Sequence, residues 1–210
     1  QSSERLSENL KVSMDHIPYL KEYAERIDFV SPFHKDSADL TTLDVALVNE
    51  IIRDRQNEYD GFVVIAGSDT MPFFASATAF SLRGLGMPII FIGARQRVTD
   101  NDADLRVNLP NAIKAAVMGG RDMNASSIGE VGVLFDDSVT RATATVNRGL
   151  KVNNPMESPR VPRIADVGWT VKVLPGATQR HPSQLNFSSN TNANVAYFDL
   201  VSETHLGSFD

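Results

Sequence analysis

The chain has 210 residues, 42% of them hydrophobic, enough for the core of one generous domain or of one domain with a fragment of another. Its net charge of -6 is interspersed, with no lysine or arginine run able to follow a phosphate backbone, which argues against a direct nucleic-acid partner. Cysteine is absent, excluding disulfides and thiolate chemistry, and neither the longest apolar run (residues 87–94) nor the polar N-terminus suits a membrane span or a signal region, so a soluble, cytoplasmic chain without membrane contact is expected.

Residues 27–30 form a short apolar run before Ser31-Pro32, predicting a buried strand that ends in a loop. Thr41 can cap a helix with Asp44 three positions later, and Leu43, Leu47, Val48, Ile51 and Ile52 recur at helical spacing to about residue 58. Residues 61–66 have the length and β-branched content of a strand buried on both faces, running into Gly67-Ser68-Asp69-Thr70. Pro72 then opens a second helix, which Gly84-Leu85-Gly86 ends. Residues 88–92 read as another buried strand, 108–118 as a helix closed by Gly119-Gly120, and 131–135 as a strand ending at Asp136-Asp137. Such alternation predicts an α/β fold with a parallel sheet, which places residues 67–70, 93–97 and 136–137 on one rim at the carboxyl ends of the strands.

Beyond Asn147 the pattern becomes proline-rich and irregular, with weak alternation over 171–174. Residues 186–194 are Ser/Asn/Thr-rich, as linkers are, and 193–200 read as a fresh strand. Trp169 and Tyr197 are expected to pack. No internal repeat is visible.

Residues 66–70 hold the densest group of small polar side chains, at a strand-to-helix turn offering two hydroxyls, a carboxylate and helix N-terminal amides. Two readings are open: the turn holds a small anionic substrate, or Ser68 or Asp69 merely caps the following helix. No glycine-lysine pair makes it a phosphate loop, and it is not the nucleophile elbow of α/β-hydrolases. His16, His34, His181 and His205 are scattered without metal-ligand spacing, so neither metal nor cofactor is expected. Asp136-Asp137 could meet a cation but reads more simply as an exposed loop pair.

The run Asp60-Gly61-Phe62-Val63-Val64-Ile65-Ala66-Gly67-Ser68-Asp69-Thr70-Met71 is similar to the second signature of the L-asparaginase/glutaminase family, a strand followed by His-Gly-Thr-Asp-Thr-Met. Pro88 through Gly93-Ala94-Arg95-Gln96-Arg97 resembles that family's "PVVFVGAxR" segment, and Asp104 through Asn108-Leu109 with Ala112 its "DxxxNLxxA" segment. Lys35-Asp36-Ser37-Ala38-Asp39-Leu40-Thr41 resembles the "DSSxMT" loop that grips the α-amino and carboxylate groups of the substrate. Asn147-Arg148-Gly149-Leu150-Lys151-Val152 looks like type I asparaginases and the asparaginase-like subunit of the archaeal Glu-tRNA(Gln) amidotransferase.

The resemblance implies a parallel-sheet sandwich with flanking helices of the asparaginase N-terminal type over 1–185, a linker at 186–194, and the start of a C-terminal domain or an added strand at 195–210. It further implies an amidohydrolase that releases ammonia from L-asparagine or a related amide through a hydroxyl nucleophile, in a homodimer or homotetramer, with a small amino-acid amide as partner. Ser68 stands at the signature's threonine and Asp69 at its aspartate. Asp36, Ser37, Gly67 and Ala94 are the implied substrate-binding positions, Gly67 and Gly93 permitting close backbone approach.

The sequence also departs from the family pattern. Ala66 replaces the signature histidine and Ser68 its threonine, and the family's first signature, Thr-Gly-Gly-Thr, has no counterpart. Residues 1–30 resemble the segment that follows that signature, so the expectation is that a short N-terminal piece precedes residue 1 in the natural protein. Asn154 aligns with the lysine that lowers the pKa of the hydroxyl, leaving Lys151 as the candidate substitute. The alternatives are a non-catalytic asparaginase-fold subunit for binding or assembly, and the ammonia-supplying subunit of a tRNA-dependent amidotransferase.

Overall fold

The computed structural model describes residues 23–33, 35–93, 103–118, 127–149 and 154–189. In chain order its elements are a 3-10 turn Ser37–Asp39, α1 Thr42–Arg55, β1 Phe62–Ile65, α2 Met71–Ser81, β2 Leu82–Arg83, β3 Ile89–Ile92, α3 Ala103–Val117, β4 Val131–Phe135 and β5 Ser138–Arg141, then a 3-10 turn Ala142–Ala144 and the short strands β6 Val146–Asn147, β7 Met156–Glu157, β8 Ala165–Val167, β9 Val171–Val173 and β10 Asn186–Phe187.

The main sheet runs β1-β3-β4-β5-β8-β9. β1, β3 and β4 are parallel, with Ile65 opposite Ile92 and Ile92 opposite Leu134, so their carboxyl ends meet on one rim as βαβ connections require. β5, β8 and β9 extend the sheet antiparallel. Successive residues of a strand face opposite sides, and β3 shows this directly. Ile90 and Ile92 join Leu109, Ala112, Ile113 and Ala116 of α3 on one face. On the other, Ile89 and Phe91 join Ile52 of α1 and Met71, Phe74 and Ala75 of α2, with Phe74 edge-on to Phe91 at 5.2 Å between ring centres. Helices therefore cover both faces of a buried parallel core, the arrangement the alternating elements predicted.

Several elements differ from the sequence reading. Residues 27–30 form no strand: Ile27 packs on the α3-side core, whereas Asp28 is held at the surface by Arg26 and by the Tyr59 hydroxyl. β1 is not buried on both faces but is the edge of the described sheet, with Ile65 39% exposed. α3 starts at residue 103 rather than 108, and Pro110 lies inside it, leaving the carbonyl four residues back without a helical N–H. The irregular stretch after Asn147 contains short antiparallel ladders, and Asn186 and Phe187 pair with Arg83 and Leu82. Trp169 does not pack; it stands 96% exposed at the tip of the tight β8–β9 hairpin, where Gly168 N–H donates to the Thr170 carbonyl. The glycine pair 119–120, the strand at 193–200 and Tyr197 lie outside the described residues.

Candidate active site

The turn at residues 67–70 leaves the carboxyl end of β1 and enters α2. Met71 N–H donates to the Gly67 carbonyl at 3.1 Å, closing the turn, and Thr70 occupies the N-cap position. Thr70 makes no side-chain capping bond, and its hydroxyl is buried without a partner among the described residues. Neither Ser68 nor Asp69 caps the helix, so the simple capping reading of these residues fails. Pro72 in the first turn removes one N–H that would otherwise need a partner, which lowers the demand for a cap.

The turn is fixed through its backbone instead. Asn147 of β6 donates from Nδ2 to the Ser68 carbonyl at 3.0 Å and accepts from Gly149 N–H at 2.7 Å. Ser37 presses on Gly67 from the other side, so closely that a β-carbon at position 67 would collide with the Ser37 side chain. Glycine is required there for close approach rather than for a left-handed backbone. The two segments singled out in the sequence, 36–37 and 67–69, are thus in contact. Asp36 is exposed, and its carboxylate accepts from Ala38 N–H at 3.1 Å, capping the 3-10 turn that carries Ser37.

Ser68 is half-buried and Asp69 exposed, and neither side chain is engaged by a hydrogen bond among the described residues. Asp69 borders an open cleft of about 550 Å³ whose walls include Phe73 and Ser76 of α2 and Thr143, Asn147 and Gly149. The rest of the rim is joined by Asn108 of α3, 1% exposed. It donates from Nδ2 to the Gly93 carbonyl at 3.1 Å and accepts from Asp136 N–H at 2.8 Å, linking the ends of β3 and β4. Asp136 adopts φ 58, a left-handed conformation that aspartate tolerates, so the Asp136-Asp137 pair is a hairpin turn with both residues exposed.

Asn154, aligned with the family's lysine, is bound within the fold: it donates to the Ser138 hydroxyl at 3.2 Å and accepts from Met156 N–H at 3.0 Å. Lys151 and Ala94 lie outside the described residues. Among those residues, no group of three or more His, Asp or Glu side chains could hold a metal ion, and no helix is long and apolar enough to cross a membrane.

Sequence reasoning gave Asn108 and Asn147 no role beyond marking a resemblance. A usable signal existed for Asn108, which lies one helical turn before Ala112 and two before Ala116 on an otherwise apolar face. Asn147 sits in a polar loop sequence that does not distinguish it from Asn153 or Asn154.

Known proteins share this fold. L-asparaginase 1 of Escherichia coli K12 is 31% identical over 139 residues, 66% of this chain and 39% of that protein. A glutamyl-tRNA(Gln) amidotransferase subunit of Thermoplasma acidophilum is 28% identical over 145 residues, 66% of this chain and 34% of that protein. The matched stretches therefore span well under half of these relatives. Among solved structures, L-asparaginase I from Vibrio cholerae superposes with a TM-score of 0.64 at 28% identity, covering 79% of this chain and 48% of that one. A probable cytoplasmic L-asparaginase from Campylobacter jejuni does so with a TM-score of 0.68 at 21% identity, covering 85% and 53%, which shows the shared fold. The family model for the asparaginase N-terminal domain matches residues 2–179, and the chain belongs to the asparaginase family.

Proposed function

We propose that the chain is the N-terminal part of an amidohydrolase that releases ammonia from L-asparagine or a related amide. The observation that carries this reading is the Gly67–Asp69 turn: fixed by its backbone at the carboxyl end of a parallel strand, touching Ser37, with the Ser68 and Asp69 side chains unspent on capping. In this reading Ser37, flanked by Asp36, binds the substrate carboxylate, and Asp69 binds its amino group and relays a proton. The Ser68 hydroxyl attacks the side-chain amide carbon; its proton passes to the leaving nitrogen, the C–N bond breaks and ammonia departs. Water then hydrolyses the acyl ester and regenerates the serine.

Lys151 is the group proposed to favour deprotonation of that hydroxyl. It follows Asn147 by four residues, a reach of at most about 14 Å, and Asn147 is bonded to Ser68 itself. Ala94, which follows Gly93 in the sequence, is proposed to border the substrate.

Ammonia release from L-asparagine and L-glutamine, measured beside Ser68→Ala, tests the reading. The variant is expected to lose activity by a thousandfold or more, on the order seen when a nucleophile is removed. Full activity in Ser68→Ala would remove Ser68 from the chemistry.

The engagement of Asn154 within the fold favours a second reading, an asparaginase-fold subunit that binds or assembles without turning over substrate. The amidotransferase relative supports a version in which the chain supplies ammonia to a tRNA-binding partner. A folded, inactive chain that binds L-aspartate points to the binding role, and co-purification of a tRNA-binding protein to the ammonia-supplying one. A homodimer or homotetramer, a cytoplasmic location, and a division into a domain at 1–185, a linker at 186–194 and a further unit from 195 belong to the same proposal.

A further inference from the structure

Asp44, at the third position of α1, is 7% exposed, and its carboxylate collects four hydrogen bonds. Lys35 Nζ donates to both oxygens at 2.7 and 2.8 Å, and the backbone N–H and hydroxyl of Thr41 donate at 2.8 and 2.7 Å. Thr41 follows residues 36–40 and Lys35 precedes them, so both ends of this segment converge on one carboxylate. Within the segment, Asp36 caps the 3-10 turn Ser37–Asp39, whose first residue presses on Gly67.

We infer that Lys35 and Asp44 are positioning residues for the candidate site: their ion pair clasps residues 36–40 so that Ser37 is presented at the Gly67–Asp69 turn, and so sets affinity for the amino-acid end of the substrate. The affinity half of this inference rests on the amidohydrolase reading; the clasp itself does not.

Helix capping alone does not account for Lys35. The capping box between Thr41 and Asp44 is complete in both directions without it, and secures only the exit of the segment. Lys35 secures the entry. The Asp44 side chain is 9% exposed against 39% for Lys35, so the carboxylate is the member that burial penalises when its partner is lost. The ammonium also lies 6.0 Å from the centre of the Phe33 ring, which holds the chain just before the clasp. A segment tethered only at its exit would regain conformational freedom at the residues that face Gly67.

The test compares the wild type with Lys35→Met and Lys35→Arg by amide hydrogen exchange and by steady-state ammonia release. Lys35→Met is expected to speed exchange over residues 36–40 by about tenfold or more while leaving α3 unchanged, the signature of local rather than global loosening. KM for L-asparagine should rise by about tenfold with kcat within about twofold, because uniform binding is lost and not transition-state stabilisation. Lys35→Arg should restore both, since it keeps the charge on the carboxylate. Unchanged exchange over 36–40, or faster exchange with an unchanged KM, overturns the inference. A wild type that releases no ammonia refutes the amidohydrolase reading, and the exchange comparison then decides the clasp by itself.

Discussion

Removing the Asn108 side chain should be among the most damaging single truncations on the rim. Asn108→Ala strips a partner from the Gly93 carbonyl and from the Asp136 N–H, at 3.1 and 2.8 Å in the wild type. Leaving a buried polar group unpaired costs about 1–3 kcal/mol. The Gly93 bond is buried, whereas Asp136 is exposed enough for water to replace part of the loss, so the sum is about 2–4 kcal/mol. For a chain of this size that lowers the melting temperature by roughly 4–16 °C. Urea unfolding followed by circular dichroism should show a lower midpoint with an unchanged slope, which separates lost stability from an altered unfolded state. Asn108→Asp sharpens the test. Its shape is nearly the same, but the ionised carboxylate meets the Gly93 carbonyl with a lone pair instead of a donor, so the variant should be weakest at neutral pH and recover as acid protonates it. If both variants stay within about 0.5 kcal/mol of the wild type, Asn108 does not hold the rim together.

Three further outcomes are expected. Gly67→Ala places a β-carbon into Ser37, so the 36–40 segment or the 67–70 turn must shift; KM for L-asparagine should rise by tenfold or more at roughly constant far-ultraviolet circular dichroism, and wild-type kinetics would show that the two segments need not touch. Glu130→Gln weakens a carboxylate that accepts from Arg141 Nε and Nη2 at 2.6 and 3.0 Å and from Thr178 N–H at 2.6 Å. It should cost about 1–3 kcal/mol in chemical denaturation, and a loss below about 0.3 kcal/mol would contradict the tie it makes between β5 and residues 176–178. The Asp44 carboxyl is lowered from 3.8 to about 2, first by its hydrogen bond from Lys35 and then by those from Thr41. Because the folded value lies below the unfolded one, its contribution is complete above the unfolded value and fades as pH falls through about 2. The stability gap between wild type and Asp44→Asn should therefore be level above about pH 5 and close toward pH 2; a gap independent of acid would mean the ionised form is not what stabilises α1.

The parallel part of the sheet was legible because β3 and β4 are continuous apolar runs bounded by Pro, Gly and Asp and alternate with helical patterns, as βαβ units do. The capping box of α1 was equally plain, since Thr41 and Asp44 meet a local rule. Residues 27–30 misled for the opposite reason: a short apolar run carries no information about whether a neighbouring strand is available to pair with it. α3 begins at residue 103 rather than 108 and keeps Pro110 within it, with Leu109, Ala112 and Ile113 packed against β3 and β4. At the site, the family resemblance brought residues 36–37 and 67–69 forward together. It could not show that Asn147 bonds the Ser68 carbonyl, that Lys35 bonds Asp44 or that Asn108 joins the ends of β3 and β4, because each acts through a partner 9 to 79 residues away and no local pattern records such a bond.

The way the Gly67–Asp69 turn is secured bears on why serine and aspartate there can be chemical rather than structural. A helix N-terminus exposes unsatisfied N–H groups, and the usual remedy commits a side-chain oxygen of the preceding turn to capping. Had Ser68 or Asp69 served that purpose, its oxygen would be spent and its rotamer locked toward the helix. In this chain Met71 N–H turns back to the Gly67 carbonyl, Pro72 has no N–H to satisfy, and the position of the turn is dictated from outside by Asn147 on the Ser68 carbonyl and by Ser37 against Gly67. All three constraints act on backbone atoms. Among the described residues the side chains of Ser68 and Asp69 therefore make no hydrogen bond, the condition that the proposed nucleophile and substrate-binding carboxylate would both require.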